Sequence, residues 1–167
     1  MPAIIGIDPG QSGGIAILYD AGGILVSKMP ETERDIFDLL FERDQASPTV
    51  FLESVHSMPG QGVSSSFKFG RAYGFLRGII TALKYPLHDV TPQKWQKALS
   101  CLTGGDKNVS KQRAQQLFPQ LKITHATADA LLIAEYGRLV TTFGPTAGQK
   151  IGYEQIARRN NLVDQGD

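Results

Sequence analysis

The chain has 167 residues, 41% of them hydrophobic and 20% charged, which fits one domain with a full core and leaves little room for a second. No run approaches the roughly 18 apolar residues of a membrane span, and no basic segment precedes the first apolar stretch, so neither membrane insertion nor a secretory signal is expected. Cys101 is the single cysteine and allows no internal disulfide, consistent with a cytoplasmic protein.

Ala3-Ile4-Ile5-Gly6-Ile7-Asp8 reads as a buried strand that Pro9-Gly10 stops one residue after a carboxylate. Asp8 at a strand end either opens the turn or serves as a rigidly held metal ligand. Gly14 to Tyr19 and Ile24 to Met29 read as two further strands joined by an Asp20-Ala21-Gly22-Gly23 turn, which completes an antiparallel meander. From Glu31 the apolar residues Ile36, Phe37, Leu39, Leu40 and Phe41 fall at helical spacing up to Ser47-Pro48. Thr49 to Glu53 is a second short apolar run that ends in a carboxylate, and a helical crossover of this length delivers a parallel strand.

Residues 54–64 are rich in Pro and Gly and read as a loop flanking that strand end. A helix is expected from about Ser65 to Leu83. Gly70, Gly74 and Gly78 line one of its faces, which suggests close packing, either on the sheet or against a second subunit. Leu87 to Val90 reads as the fifth strand, Thr91-Pro92 as a helix start, and Gln93 to Leu99 as a short helix carrying Trp95. After the loop Thr103 to Asn108, a helix is expected from about Ser110 to before Pro119. Lys107, Lys111 and Arg113 beside this glycine-containing loop suggest phosphate contacts. The last clear helix starts near Thr124. Its His125 and Asp129 are four residues apart on one side, and an ionised Asp in so apolar a helix needs a cationic partner or the helix dipole. The domain is expected to span residues 1–143, followed by a polar tail, 144–167, to which the sequence gives no role.

Charge is unevenly distributed. Residues 1–67 hold three Lys/Arg against nine Asp/Glu, whereas residues 68–122 hold ten against two. A folded basic block of that kind, which includes Lys68 and Arg71, either is neutralised by the acidic third or is the footprint of a polyanion. The order of elements predicts an α/β fold with a mixed five-stranded sheet, an antiparallel meander extended by parallel strands and flanked by helices. Asp8 and Glu53 then end adjacent strands, and Asp129 opens a helix able to cover the same edge. Hard oxygen ligands of this type point to Mg²⁺ or Mn²⁺, and a basic surface beside them points to phosphodiester chemistry with two ions per site.

Five stretches in order, Ile-Gly-Ile-Asp-Pro-Gly, Phe-Leu-Glu-Ser-Val, Phe-Gly-Arg-Ala-Tyr-Gly, Thr-Pro-Gln-Lys-Trp-Gln-Lys and Ala-Asp-Ala-Leu-Leu-Ile-Ala, resemble RuvC-type Holliday junction resolvases, especially their short phage forms. The resemblance runs from residue 3 to about 140. It implies an RNase H-like fold, a homodimer, and Mg²⁺-dependent symmetric nicking of four-way and other branched DNA junctions. It also implies that Asp8, Glu53 and Asp129 are the acidic ligands and that Lys107 and Lys111 lie near the scissile DNA. Two positions depart from the pattern. Ala126 stands where the family carries a further acidic residue or histidine, and His125 is the candidate replacement, as a ligand through a frayed first turn or as a proton carrier. His56 stands where the bacterial enzymes insert an aromatic wedge, so junction opening falls to His56 or Met58. A ribonuclease acting on RNA–DNA hybrids and an inactive junction-binding protein are the alternatives. Asp8 to Gly13 also has a superficial likeness to the phosphate loop of actin-like ATPases, but those enclose nucleotide with a second domain, so no nucleotide cofactor is expected.

Overall fold

The alternation of side chains along the apolar strands decides the architecture. In the computed structural model, which describes residues 2–42, 48–54 and 62–144, the sheet is built on β1 (Ile4–Asp8). On one side of it lie antiparallel β2 (Gly14–Leu18) and β3 (Ile24–Lys28), and on the other parallel β4 (Thr49–Glu53) and β5 (Leu87–Val90). The strand order is β3-β2-β1-β4-β5, the mixed five-stranded sheet the sequence predicts. A tight turn closes the β2–β3 hairpin, with the Gly22 N–H donating to the Tyr19 carbonyl at 3.0 Å and Gly22 at φ 88°. The parallel strands are reached through α1 (Glu33–Phe41) and α2 (Val63–Ala82).

Successive residues of β1 and β4 face opposite sides, as the pleat requires. Ile5, Ile7, Val50 and Leu52 pack with Ile36 and Leu40 of α1 and Leu76, Ile79 and Ile80 of α2. Ile4 and Phe51 face the other way, into a core shared with α3 (Pro92–Ala98), α4 (Lys107–Leu117) and α5 (His125–Phe143). Asp8 and Glu53 keep the parity of Ile4 and Phe51 and therefore look toward α5.

Helix α5 lies so close to β1 that two positions must lack side chains. A Cβ on Gly6 would come within 2.3 Å of the Ala130 carbonyl oxygen and the Ala134 nitrogen, and one on Gly137 within 2.4 Å of the Phe51 ring. Opposite Gly6, α5 presents Ala130 and Ala134, residues small enough for the backbones to meet.

Two expectations are sharpened. Helix α4 starts at Lys107 rather than at Ser110, because Asp106 caps it, its carboxylate accepting from the Asn108 N–H at 2.9 Å. The glycine stripe of α2 does not pack on the sheet, since a Cβ at Gly70, Gly74 or Gly78 would meet nothing within 4 Å. The residues of α2 that are buried on the sheet are Leu76, Ile79 and Ile80, all in its second half. Helix α5 ends at Phe143, at the expected domain boundary, and of the expected tail residues 145–167 lie outside the described residues. Among the described residues, no helix is long and apolar enough to cross a membrane.

These contacts predict opposite outcomes for two glycine replacements measured by urea unfolding at low protein concentration. Gly6→Ala should destabilise by about 1–3 kcal/mol, because backbone cannot move aside. Gly70→Ala should be neutral or stabilise by up to about 1 kcal/mol through helix propensity.

Candidate active site

Three carboxylates reach one end of the sheet, each for a local reason. Asp8 closes β1, and the alignment of Ile7 with Leu52 makes Glu53 the corresponding last residue of β4. Asp129 is one turn inside α5, and the position of that turn is set by Gly14, which pairs with Asp8 across β1 and β2. A Cβ on Gly14 would lie 2.5 Å from the Ser27 carbonyl oxygen and 2.7 Å from that of Ala126, so the start of α5 can settle there only without a side chain. Gly13 is equally constrained, since its Cβ would fall 2.6 Å from Cγ of Asp8. The Gly10 N–H donates to Asp8 Oδ1 at 3.3 Å. Pro9 to Gly14 is thus a close-fitting collar around the Asp8 carboxylate as well as a turn.

The site is short of positive charge. Burial is the main cause that raises the proton affinity of Asp8. The Gly10 N–H opposes it, Asp129 adds to it, and Lys107 opposes it. Glu53 is pushed up to about 7, first by burial, with the Trp95 N–H opposing, the negative charges of Asp8 and Asp129 adding, and Lys107 opposing. Asp129 is also raised by burial. The Ser110 hydroxyl and then the charges of Lys107 and His125 favour its ionised form. That hydroxyl donates to the Lys107 carbonyl at 3.3 Å, and Asp129 Oδ1 is buried with no hydrogen-bond partner. The expected cationic partner of Asp129 is therefore Lys107 at the start of α4, with His125 beside it, acting through space.

The other candidates separate clearly. His125 is exposed at the first position of α5. The first turn is closed rather than frayed, with the Thr124 N–H donating to Thr127 Oγ1 at 3.1 Å, so His125 is a neighbour of Asp129 and the route to direct ligation is not open in this conformation. Lys107 is exposed and its charge reaches all three carboxylates, while Lys111 is half-buried one turn later. Arg113 is corrected. It is buried, and its guanidinium donates to the Leu99 carbonyl at 2.7 Å and to Gln116 at 3.2 Å, so it ties α4 to α3 instead of facing a phosphate. Lys68 and Arg71 are exposed on α2, with Arg71 paired to Glu33 at 3.2 Å, and neither is among the groups that shift the three carboxylates. His56 and Met58 lie outside the described residues.

Sequence reasoning missed Trp95 and Ser110. Trp95 is fully buried and its indole N–H donates to Glu53 Oε1 at 2.8 Å. A lone Trp between Lys94 and Lys97 is a signal for a core contact but not for that partner. Ser110, only 2% exposed, carries no sequence signal. Among the described residues, no three acidic, histidine or cysteine side chains stand close enough to form a ready-made metal cage. A cleft of about 450 Å³ lies at the opposite end of the sheet, between Ile4, Leu18, Ile24 and the Glu135–Arg138 ion pair, and includes none of the three carboxylates.

No protein-family model and no curated protein matches the sequence. Solved structures do match the fold. RuvC of Thermus thermophilus, in complex with a Holliday junction substrate, aligns with a TM-score of 0.61 at 17% identity, over 86% of this chain and 97% of that one. A second T. thermophilus RuvC structure aligns with a TM-score of 0.58 at 18% identity over the same shares. The fold is therefore the RNase H-like fold of RuvC.

The raised Glu53 value fixes the direction of a pH effect. Its folded value near 7 lies above the ordinary 4.5, so the stability tied to its proton is complete below about 4.5 and is lost as pH rises through about 7. Glu53→Gln keeps an acceptor for Trp95 and removes that loss. In EDTA at about pH 8 the variant should melt about 2–6 °C above wild type, and the gap should close toward pH 5, as read by differential scanning fluorimetry. Equal or lower melting at pH 8 would contradict the assignment.

Proposed function

We propose that this chain is a metal-dependent endodeoxyribonuclease that resolves four-way DNA junctions, and other branched DNA, by symmetric phosphodiester hydrolysis as a homodimer. The observation that carries the reading is the convergence of Asp8, Glu53 and Asp129 at one sheet end, within the fold shared with RuvC of T. thermophilus. The donor set suits Mg²⁺ or Mn²⁺: all ligands are hard oxygens, and Asp129 Oδ1 is buried with a lone pair unclaimed.

Asp8, Glu53 and Asp129 would hold the ions, two per site, and bound ions would polarise the phosphodiester and acidify a water. The remaining work falls to the chain itself. Lys107 offsets the excess negative charge of the three carboxylates and would meet a scissile phosphate. His125, exposed in the first turn of α5, exchanges a proton between the site and bulk water. The exposed lysines of residues 68–122 supply phosphate contacts that position a branched substrate without reading its sequence.

Helix α2 supports the dimer. Val63, Phe67, Gly70 and Gly74 recur along one face, with Val63 88% and Phe67 72% exposed, and the glycines let a second helix backbone approach closely. Two copies joined there would carry two sites, as paired nicks require.

Cleavage of a mobile four-way junction beside matched duplex and RNA–DNA hybrid tests the activity. Wild type with Mg²⁺ should nick the junction symmetrically, and EDTA should stop it. Asp8→Asn should lower the rate by more than the roughly 100-fold that even an outer-sphere change can cause, with junction binding retained. Cutting of the hybrid instead would move the chain to the ribonuclease reading, and binding without cutting would mark Ala126 as the sign of an inactive site. Sedimentation velocity tests the interface: wild type should be a dimer and Gly74→Arg a folded monomer whose melting temperature no longer depends on protein concentration, whereas a monomeric wild type would remove the α2 interface.

A further inference from the structure

We infer that Trp95 is the positioning residue of Glu53, its buried indole N–H holding Oε1 so that the carboxylate keeps one orientation in which to meet a cation. The inference rests on the reading of the three carboxylates as a cation site and goes beyond it by assigning a task to a residue outside them. Among the described residues, Trp95 is the one hydrogen-bond donor to Glu53, at 2.8 Å with both groups buried. An indole N–H donates and cannot accept, so the bond survives whether Glu53 is ionised or neutral, and it strengthens when the carboxylate is charged. It cannot be inverted like an amide or lost to a change of protonation.

The donor is also immobile. Helix α3 begins with Pro92, and the Trp95 carbonyl accepts from the Leu99 N–H at 3.0 Å. The ring is fully buried in the cluster that contains Val90, Ala98 and Leu99. Val90 pairs with Glu53 across β4 and β5, so the strand that leads into α3 is itself in register with the carboxylate it orients. Each joint between the N–H and Glu53 is therefore backbone-anchored, the arrangement that holds a ligand in one orientation before the ion arrives.

The chain has a single tryptophan, so growth of a tryptophan auxotroph on benzothienylalanine exchanges this one N–H for sulfur and leaves the ring shape nearly unchanged. Mn²⁺ binding to both full-length proteins is measured by the free-ion EPR signal, and the one indole ¹H–¹⁵N resonance of the wild type is followed during Mg²⁺ addition. We expect about ten-fold weaker Mn²⁺ binding without the N–H, with the melting temperature in EDTA little changed. We also expect a Mg²⁺-dependent shift of the indole resonance that Glu53→Gln abolishes. Unchanged Mn²⁺ affinity in the sulfur analogue, or an indole resonance that Mg²⁺ does not move while Mn²⁺ binds, would overturn the role of Trp95. A wild type that binds no Mn²⁺ would overturn the cation site and this role with it.

Discussion

The close approach of α5 to β1 is the constraint on which the rest depends. The helix can rest on the sheet only because Gly6, against Ala130 and Ala134, and Gly14, against the Ala126 carbonyl, have no side chains. One larger residue at any of these points would lift the first turn of α5 off the sheet and carry Asp129 away from Asp8. The polar end of the sheet is thus held together by apolar packing further along the same two elements. Burial of the surrounding aliphatic side chains, at about 25 cal/mol per Å², offsets what the carboxylates oppose.

That opposition is substantial. Three acidic groups are withdrawn from water beside one another, with a lysine as their shared counter-charge. Desolvation dominates each of the three, and hydrogen bonds from Gly10 and Trp95 recover only part of it. The fold tolerates this arrangement rather than favours it. The bidentate Glu135–Arg138 pair shows the contrast. Another carboxylate of the same helix, fully buried, has a guanidinium at hydrogen-bond distance.

Much of this was legible in the sequence because strand parity and turn chemistry are local. Thr49 to Glu53 and Leu87 to Val90 form strands over the ranges expected, and the α5 boundary follows from Thr124. Asp8 and Glu53 stand out in the sequence because each ends a strand, and Asp129 because it is a carboxylate within an apolar helix. What escaped depends on contacts between distant parts of the chain. Arg113 and Lys111 look alike in sequence, and only the packing of α4 on α3 shows that one guanidinium is consumed by the Leu99 carbonyl. Trp95 and Glu53 are 42 residues apart, and no periodicity joins them. The glycine stripe of α2 was legible as a feature, yet its surroundings were not, because helical spacing says which face a residue occupies and not what covers it.

The internal commitments of the arginines have a further consequence. In the basic middle third, Arg113 is buried against the Leu99 carbonyl, and Arg71 and Arg77 are paired at the surface with Glu33 and Asp89, so most of the exposed cations there are lysines. An ammonium is a hydrated point charge without the planar fork that grips a phosphate or a guanine edge in one orientation. On the function proposed above, the protein would hold DNA mainly through release of condensed counterions, an entropic grip that weakens steeply as salt rises and varies little with base sequence. Such a surface lets the chain slide along a duplex and redistribute over it, and it leaves the choice of where to stop to the shape of the DNA rather than to its letters.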